Sequence, residues 1–309
     1  MYHYIHKYTM ILPKENIYPI LLPPKYFIDI FQKQNAFFNM NPSMYIEKDG
    51  SVKILVRRID YRKFQNKQFT MYNQYSNSHY SLMSGKILPG KKLDLDSFLV
   101  EDVQYDYGLP IYNTYWKGLE DIRFISSSRL LACIPECNPN GNPSIFQATL
   151  EGNKIHSVSS CSPNTIEKNW MPFSIEHIKN LVIYSLSPFQ IKSVEENDLQ
   201  EIPLPESTRK DLEGYNGSTN GIYYKEGYYL FLIHANKERT YHRWLLFHRL
   251  LPHVVVSKPF TFFNHSYIEF PISLCEFENR CFVSLGINDD SAYILEISYS
   301  VIESTFQAL

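Results

Sequence analysis

The sequence predicts an all-β protein folded as a five-bladed β-propeller, and three observations carry that prediction. Side chains that suit a pleated, half-buried surface are abundant, with 24 Tyr and 20 Phe among 309 residues. Apolar residues alternate or run in short blocks between turn signals, instead of recurring at helical spacing. Polar clusters precede several of these blocks at a spacing near 50 residues, about the length of a three- or four-stranded blade.

Strands are expected at Val52 to Arg57, Arg129 to Ile134, Leu181 to Tyr184, Tyr228 to His234, Trp244 to Leu250, Arg280 to Leu285 and Ala292 to Ile297. Between them stand Asp49-Gly50, Asn140-Gly141-Asn142-Pro143, Glu151-Gly152-Asn153, Glu226-Gly227 and Asn288-Asp289-Asp290, all residue types that make tight turns. Only two stretches read as helix: Tyr26 to Gln34, after the Pro23-Pro24 break, and the tail from Val301.

The polar clusters are Asn41-Pro42-Ser43, Gly118 to Arg123, Glu167-Lys168-Asn169-Trp170, Gly217 to Asn220 and Ile268-Glu269-Phe270. From Asp121, the positions Lys168, Thr219 and Glu269 follow at separations of 47, 51 and 50, whereas Ser43 to Asp121 spans 78 and requires an insertion. Five clusters imply five blades. The innermost strand of each blade lines the axis, so clusters that open the repeats would meet at one end of a shared funnel. The competing reading is a set of ordinary loops whose charges face water. One domain spanning 1–309 is expected, with 1–40 and 299–309 as peripheral segments.

Thirty basic against 32 acidic residues give a net charge of −2, which provides no global field for nucleic acid. No run approaches the roughly 18 apolar residues of a spanning helix, and Met1 to Ile20 lacks the apolar core of a signal peptide, so a cytoplasmic location is expected. Cys133, Cys137, Cys161, Cys275 and Cys281 form no Cys-x-x-Cys pair, which reads as reduced thiols. No spacing implies a metal or a cofactor. Gly-x-Ser-x-Gly, Walker or Rossmann loops and His-Glu-x-x-His are absent, which argues against serine-triad hydrolysis, nucleotide chemistry and zinc proteolysis.

Chemistry is expected where charge sits among apolar neighbours. Glu120-Asp121-Ile122-Arg123 offers two carboxylates and a guanidinium, and strand alternation would put Asp121 and Arg123 on one face. A neighbouring cation lowers an acid's pKa while burial or a second carboxylate raises it, and the sequence leaves that contest open. Glu167, Lys168 and Asn169 could hydrogen-bond sugar hydroxyls with Trp170 stacking on a ring, although Trp170 is as well explained by core packing. His234 ends an apolar strand and is followed by Arg239, Tyr241, His242 and Arg243, the densest basic-aromatic segment of the chain. Glu269 lies between Ile268 and Phe270, and Asp289 follows Gly286, where a turn role competes. Ser43 and Arg58 complete the candidate set from the first repeat.

Taken in order, Gly118 to Arg123, Glu167 to Phe173, Gly217 to Gly221 with Tyr228 to His234, Ile268-Glu269-Phe270 and Ser284 to Asp289 resemble glycoside hydrolase family 130, the β-mannoside phosphorylases and β-mannosidases. The resemblance covers roughly residues 41 to 298. It implies an inverting reaction with Asp121 as the single general acid, Lys168 and His234 helping to hold phosphate, and Arg123 beside the acid. Ser43, Arg58, Glu120, Glu167, Asn169, Tyr241, Glu269 and Asp289 would then contact an oligosaccharide. The pattern departs from the phosphorylases in one respect: between Phe124 and Glu167 the only arginine is Arg129. A glycosyltransferase of the β-mannosyltransferase-like kind and a non-catalytic glycan-binding propeller stand as alternatives.

Overall fold

A computed structural model describes residues 9–22, 38–63, 69–71, 76–161, 166–175, 179–196, 198–236 and 239–306. Five sheets of four or more strands are arranged in chain order, with a two-stranded ribbon, Tyr61–Lys63 and Phe69–Met71, beside the first. Sheet I runs outward through Phe38–Ile46, Ser51–Ile59, Ser76–Lys86 and Leu99–Asp102. Sheet II contains Glu120–Phe124, Arg129–Cys133, Ile145–Glu151 and Lys154–Ser160, and sheet III contains Met171–Ile175, Lys179–Leu186, Phe189–Ser193 and Leu199–Glu201. Sheet IV is built on Tyr228–Asn236 and Thr240–His248, and sheet V on Glu269–Phe277, Arg280–Ile287 and Ser291–Ser298.

Each sheet is buried on both faces, which explains why Tyr228–Asn236 reads as a continuous apolar run. Tyr229, Phe231 and Ile233 pack with Met171 and Phe173 of sheet III, while Leu230 and Leu232 pack with Leu274 and Val283 of sheet V. Equivalent clusters join sheets I and II through Leu82 and Ile122, II and III through Cys133 and Val182, and V and I through Phe282 and Ile54. The ring thereby closes on itself. Burial of this kind stabilises by roughly 25 cal/mol per Å² of apolar surface, so the intersheet seams hold the wheel together.

The fold is an all-β propeller, but the expectation of five blades is corrected: the propeller has four blades, and the remaining sheet, IV, is irregular. Sheets I, II, III and V each have a continuous inner strand, whereas that edge of sheet IV is broken into the two-residue pieces Asn216–Gly217 and Ile222–Tyr223. The loop between them carries Ser218 and Asn220, whose side chains bond the backbone of Pro271 and Leu274 in sheet V instead of extending a ladder.

All seven expected strands are present, most with longer boundaries, and the C-terminal helix spans Tyr299–Ser304. The expected helix at Tyr26 to Gln34 lies outside the described residues. A further helix, Glu206–Leu212, was not expected, because only Leu212 is buried and no apolar stripe marks it; Glu206 pairs with Lys210 at 2.7 Å. The insertion between Ser43 and Asp121 stitches two sheets together. Its strand Gln104–Asp106 runs parallel to Lys154–Ser160 of sheet II, and Trp116–Lys117 returns parallel to Ser76–Asn77 of sheet I. Within the segment expected to be peripheral, Asn16–Pro19 is the outer strand of sheet V, and Met10–Ile11 pairs with Phe260–Thr261 of sheet IV. Among the described residues no helix is long and apolar enough to cross a membrane.

Candidate active site

The inner strands begin around one mouth of the axis, and the backbone there is locally left-handed. Asn41 (φ 42°), Asp121 (φ 48°) and Asn169 (φ 62°) occupy equivalent places in sheets I, II and III, and Asp289 (φ 56°) approaches from a turn of sheet V. Asn and Asp tolerate this region better than other residues with a Cβ, since their short polar side chains bond locally. The ladders slip at these points, between Met40 and Ser43 and between Glu120 and Arg123. A bulge of this kind re-aims a side chain. Two glycines make room: a Cβ on Gly286 would lie 2.1 Å from Asn41 Oδ1, and one on Gly217 would lie 2.2 Å from the Asn169 carbonyl oxygen.

The result is a cavity of about 370 Å³ whose lining includes Asn41, Arg57, Glu120, Asp121, Lys168, Asn169, His234 and Asp289. Of the expected residues it brings together Glu120, Asp121, Lys168, Asn169, His234 and Asp289, which come from sheets II to V. Arg57 is the residue that sequence reasoning missed. Its buried guanidinium donates through Nη1 to Asp121 (3.2 Å), through Nη2 to Glu120 (2.9 Å) and through Nε to Ser78 Oγ (2.6 Å). Asn41 Nδ2 donates to the same Asp121 oxygen at 2.9 Å. Burial pushes the Asp121 carboxyl up, but Arg57, Arg123, the Asn41 bond and Lys168 outweigh it and hold the group below the ordinary carboxylate range.

Arg123 does not hold the acid side chain as strand alternation predicts. The bulge intervenes, so Arg123 donates through Nη1 to the Asp121 backbone carbonyl (3.1 Å) and through Nε to that of Ser218 (2.7 Å). Arg58 points away from the axis and pairs with Asp102 at 2.7 Å, the opposite face of the strand from Arg57. Ser43 is fully buried in the inner strand of sheet I and Tyr241 is buried in sheet IV, and neither lines the cavity. Glu167 accepts bonds from Trp170 Nε1 (3.1 Å) and Tyr184 Oη (2.6 Å). Trp170 is core, with Lys192 Nζ 4.5 Å from its ring centroid.

Glu269 is also turned out of the cavity. Its buried carboxylate accepts bonds from Phe262 N (2.7 Å), Phe263 N (2.8 Å), Ser266 Oγ and His242 Nε2 (3.1 Å), so it organises the 262–266 loop. His242 pairs in register with His234 on the neighbouring strand. Burial, then the charges of His242 and Arg123, push the His234 imidazole down to about 3, so a neutral ring faces the cavity, edge-on to Phe270. Its Nδ1 has no protein partner.

A larger cavity, about 800 Å³, opens where the inner strands end. Its polar groups serve the fold: Asn220 bonds both N and O of Leu274, and Arg129 bonds Gln147 and Glu195. Among the described residues no group of three or more His, Cys, Asp or Glu is placed to hold a metal ion.

No family model matches the chain, and no curated protein matches it in sequence. Solved structures do. The β-1,2-mannobiose phosphorylase from Listeria innocua, in complex with β-1,2-mannobiose, superposes with a TM-score of 0.60 at 15% identity, over 94% of this chain and 99% of that one. A structure described with the family 130 mannoside phosphorylases, among them glycoside hydrolases that target β-1,2-mannosidic linkages in Candida mannan, gives 0.59 at 11% identity over 95% and 97%. A family 43 β-xylosidase/α-arabinofuranosidase from a compost microbial metagenome, in complex with xylotriose, gives 0.55 at 12% over 84% and 91%. At these identities the likeness establishes the fold: this chain is a β-propeller of the kind on which these glycoside-processing proteins are built.

Proposed function

We propose that the protein is a carbohydrate-active enzyme, an inverting glycoside hydrolase or phosphorylase acting on β-mannosides or related glycans in the axial cavity. The observation that carries this reading is Asp121: a carboxylate aimed into a cavity large enough for a sugar ring, ringed by amide, guanidinium, ammonium and imidazole groups from other blades. Sheet IV, although not a regular blade, contributes His234 to the cavity. Five thiols without a disulfide support a reducing compartment such as the cytoplasm.

In the reaction, the C1–O glycosidic bond breaks as its oxygen takes the Asp121 proton, while phosphate or water attacks C1 from the opposite face. The cations around Asp121 keep it ionised in the resting site, so an acid role requires their charge to be met. An anion docking at Lys168 does this and raises the Asp121 pKa, which favours phosphate as the attacking group. The arginine count speaks the other way: Arg129, the only arginine between Phe124 and Glu167, lies at the far mouth of the axis. Water as attacker calls for a base, and Asp289 is the carboxylate that sheet V supplies. Incubation with β-1,2-mannobiose, with and without inorganic phosphate, separates the cases. Mannose 1-phosphate indicates phosphorolysis, mannose alone indicates hydrolysis, and neither product removes the proposal for this substrate.

The ionised state of Asp121 favours one second reading, a glycan-binding propeller without turnover, which tight oligosaccharide binding with no product would support. A glycosyltransferase would instead move a mannosyl group from mannose 1-phosphate or a nucleotide sugar to an acceptor.

A further inference from the structure

The chain has three tryptophans, and two are spent on packing: Trp170 and Trp244 are 1% and 0% exposed. Trp116 is half-buried and lines the axial cavity. It arrives on the returning end of the insertion, in register with Ser76. The position is enforced from behind. The next residue but one, Gly118 (φ +85°), lies so close to sheet I that a Cβ there would sit 2.1 Å from the Ser78 carbonyl oxygen, and its N–H donates to Glu136 Oε1 at 2.9 Å. The indole packs on the Met40, Ile59 and Tyr61 cluster, with the Tyr61 ring meeting it edge-on at 5.5 Å.

Pro135 and Pro143 also line the cavity, together with the polar side chains of Asn41, Asp121 and Asp289. A pyranose ring has this duality, with C–H groups on a ring face and hydroxyls around its edge. Aromatic rings recognise the first and hydrogen-bonding side chains the second. We propose that Trp116 is the platform on which a pyranose ring stacks in the axial cavity, making the insertion a specificity element. Trp116 selects ligands with a free C–H face and gives no affinity to inorganic phosphate alone.

This inference rests on the carbohydrate reading, and the test separates the two. Wild type, W116F and W116A are titrated with β-1,2-mannobiose and with xylotriose, by calorimetry and by tryptophan emission. Because the other two indoles are buried, the platform predicts an emission change in wild type that W116F loses, and a Kd at least tenfold weaker in W116A than in wild type. W116F keeps an aromatic face and weakens binding less than W116A; its lost emission response decides the matter even if W116A does not fold. Binding heat with unchanged wild-type emission, or with W116A within twofold of wild type, overturns the platform and leaves the carbohydrate reading standing. No binding heat from either saccharide overturns both.

Discussion

Arg57 and Asp121 face each other across the seam between sheets I and II, with Nη1 3.2 Å from Oδ1, and the same guanidinium reaches Glu120 at 2.9 Å. One buried cation therefore binds two carboxylates at the mouth of the axis.

Removing that cation is expected to cost stability as well as function. Breaking a buried ion pair costs about 3–5 kcal/mol, and partial exposure of both carboxylates reduces this to roughly 2–3 kcal/mol. R57A should lose that much in urea denaturation. Adding D121N to R57A should recover part of the loss, because one stranded charge is removed; strict additivity of the two substitutions would show that they do not interact.

The lowered pKa of Asp121 gives a stability contribution with a definite sign. Its folded value lies below the unfolded one, so the contribution is complete above the unfolded value near 3.9 and is lost as pH falls through the folded value. D121N should flatten the acid limb of stability below about pH 4. Turnover obeys the opposite rule for an acid: it should rise toward low pH without phosphate, and phosphate should shift its limb upward.

His234 acts over a higher window. Above pH 6.5 the ring is neutral in both the folded and the unfolded chain; as pH falls from 6.5 toward about 3 only the unfolded chain takes up the proton, so stability falls across that window. H234N should make stability flatter between pH 6.5 and 4, as read by denaturant midpoints at each pH. An unchanged slope would mean that His234 is already protonated in the folded protein.

Gly286→Ala tests the close approach of sheets V and I. The added methyl would meet Asn41 Oδ1 at 2.1 Å and its backbone N at 2.7 Å, so Asn41 must move. Overpacking of this kind costs about 1–3 kcal/mol. Glycan turnover should fall at least tenfold, since Asn41 no longer positions Asp121; preserved turnover would release Asn41 from that role.

Much of the fold was legible because both faces of each sheet are buried, and runs such as Tyr228 to His234 announce it. The four-fold regularity with an interrupted fifth sheet was not, because Gly217 to Gly221 reads the same whether its residues bond within a ladder or reach across to Pro271 and Leu274. Asp121, Lys168 and His234 were visible as charges with apolar neighbours, and they do share a cavity. Arg57 and Arg58 are adjacent, and only the strand's phase decides which faces the axis, so the sequence points to Arg58 as readily as to Arg57. Glu269 shows the same limit: its apolar neighbours reflect real burial, but a buried carboxylate serves a loop of backbone N–H groups as readily as a substrate.

Asp121 is the centre of the account, and comparing wild type with D121N on β-1,2-mannobiose in the presence of phosphate tests it most directly. General acid catalysis contributes about 10²- to 10⁴-fold, so D121N should lose at least 100-fold in kcat while still melting cooperatively at neutral pH, with a midpoint lowered by the loss of the Arg57 ion pair. Equal turnover by the two folded proteins would contradict the account.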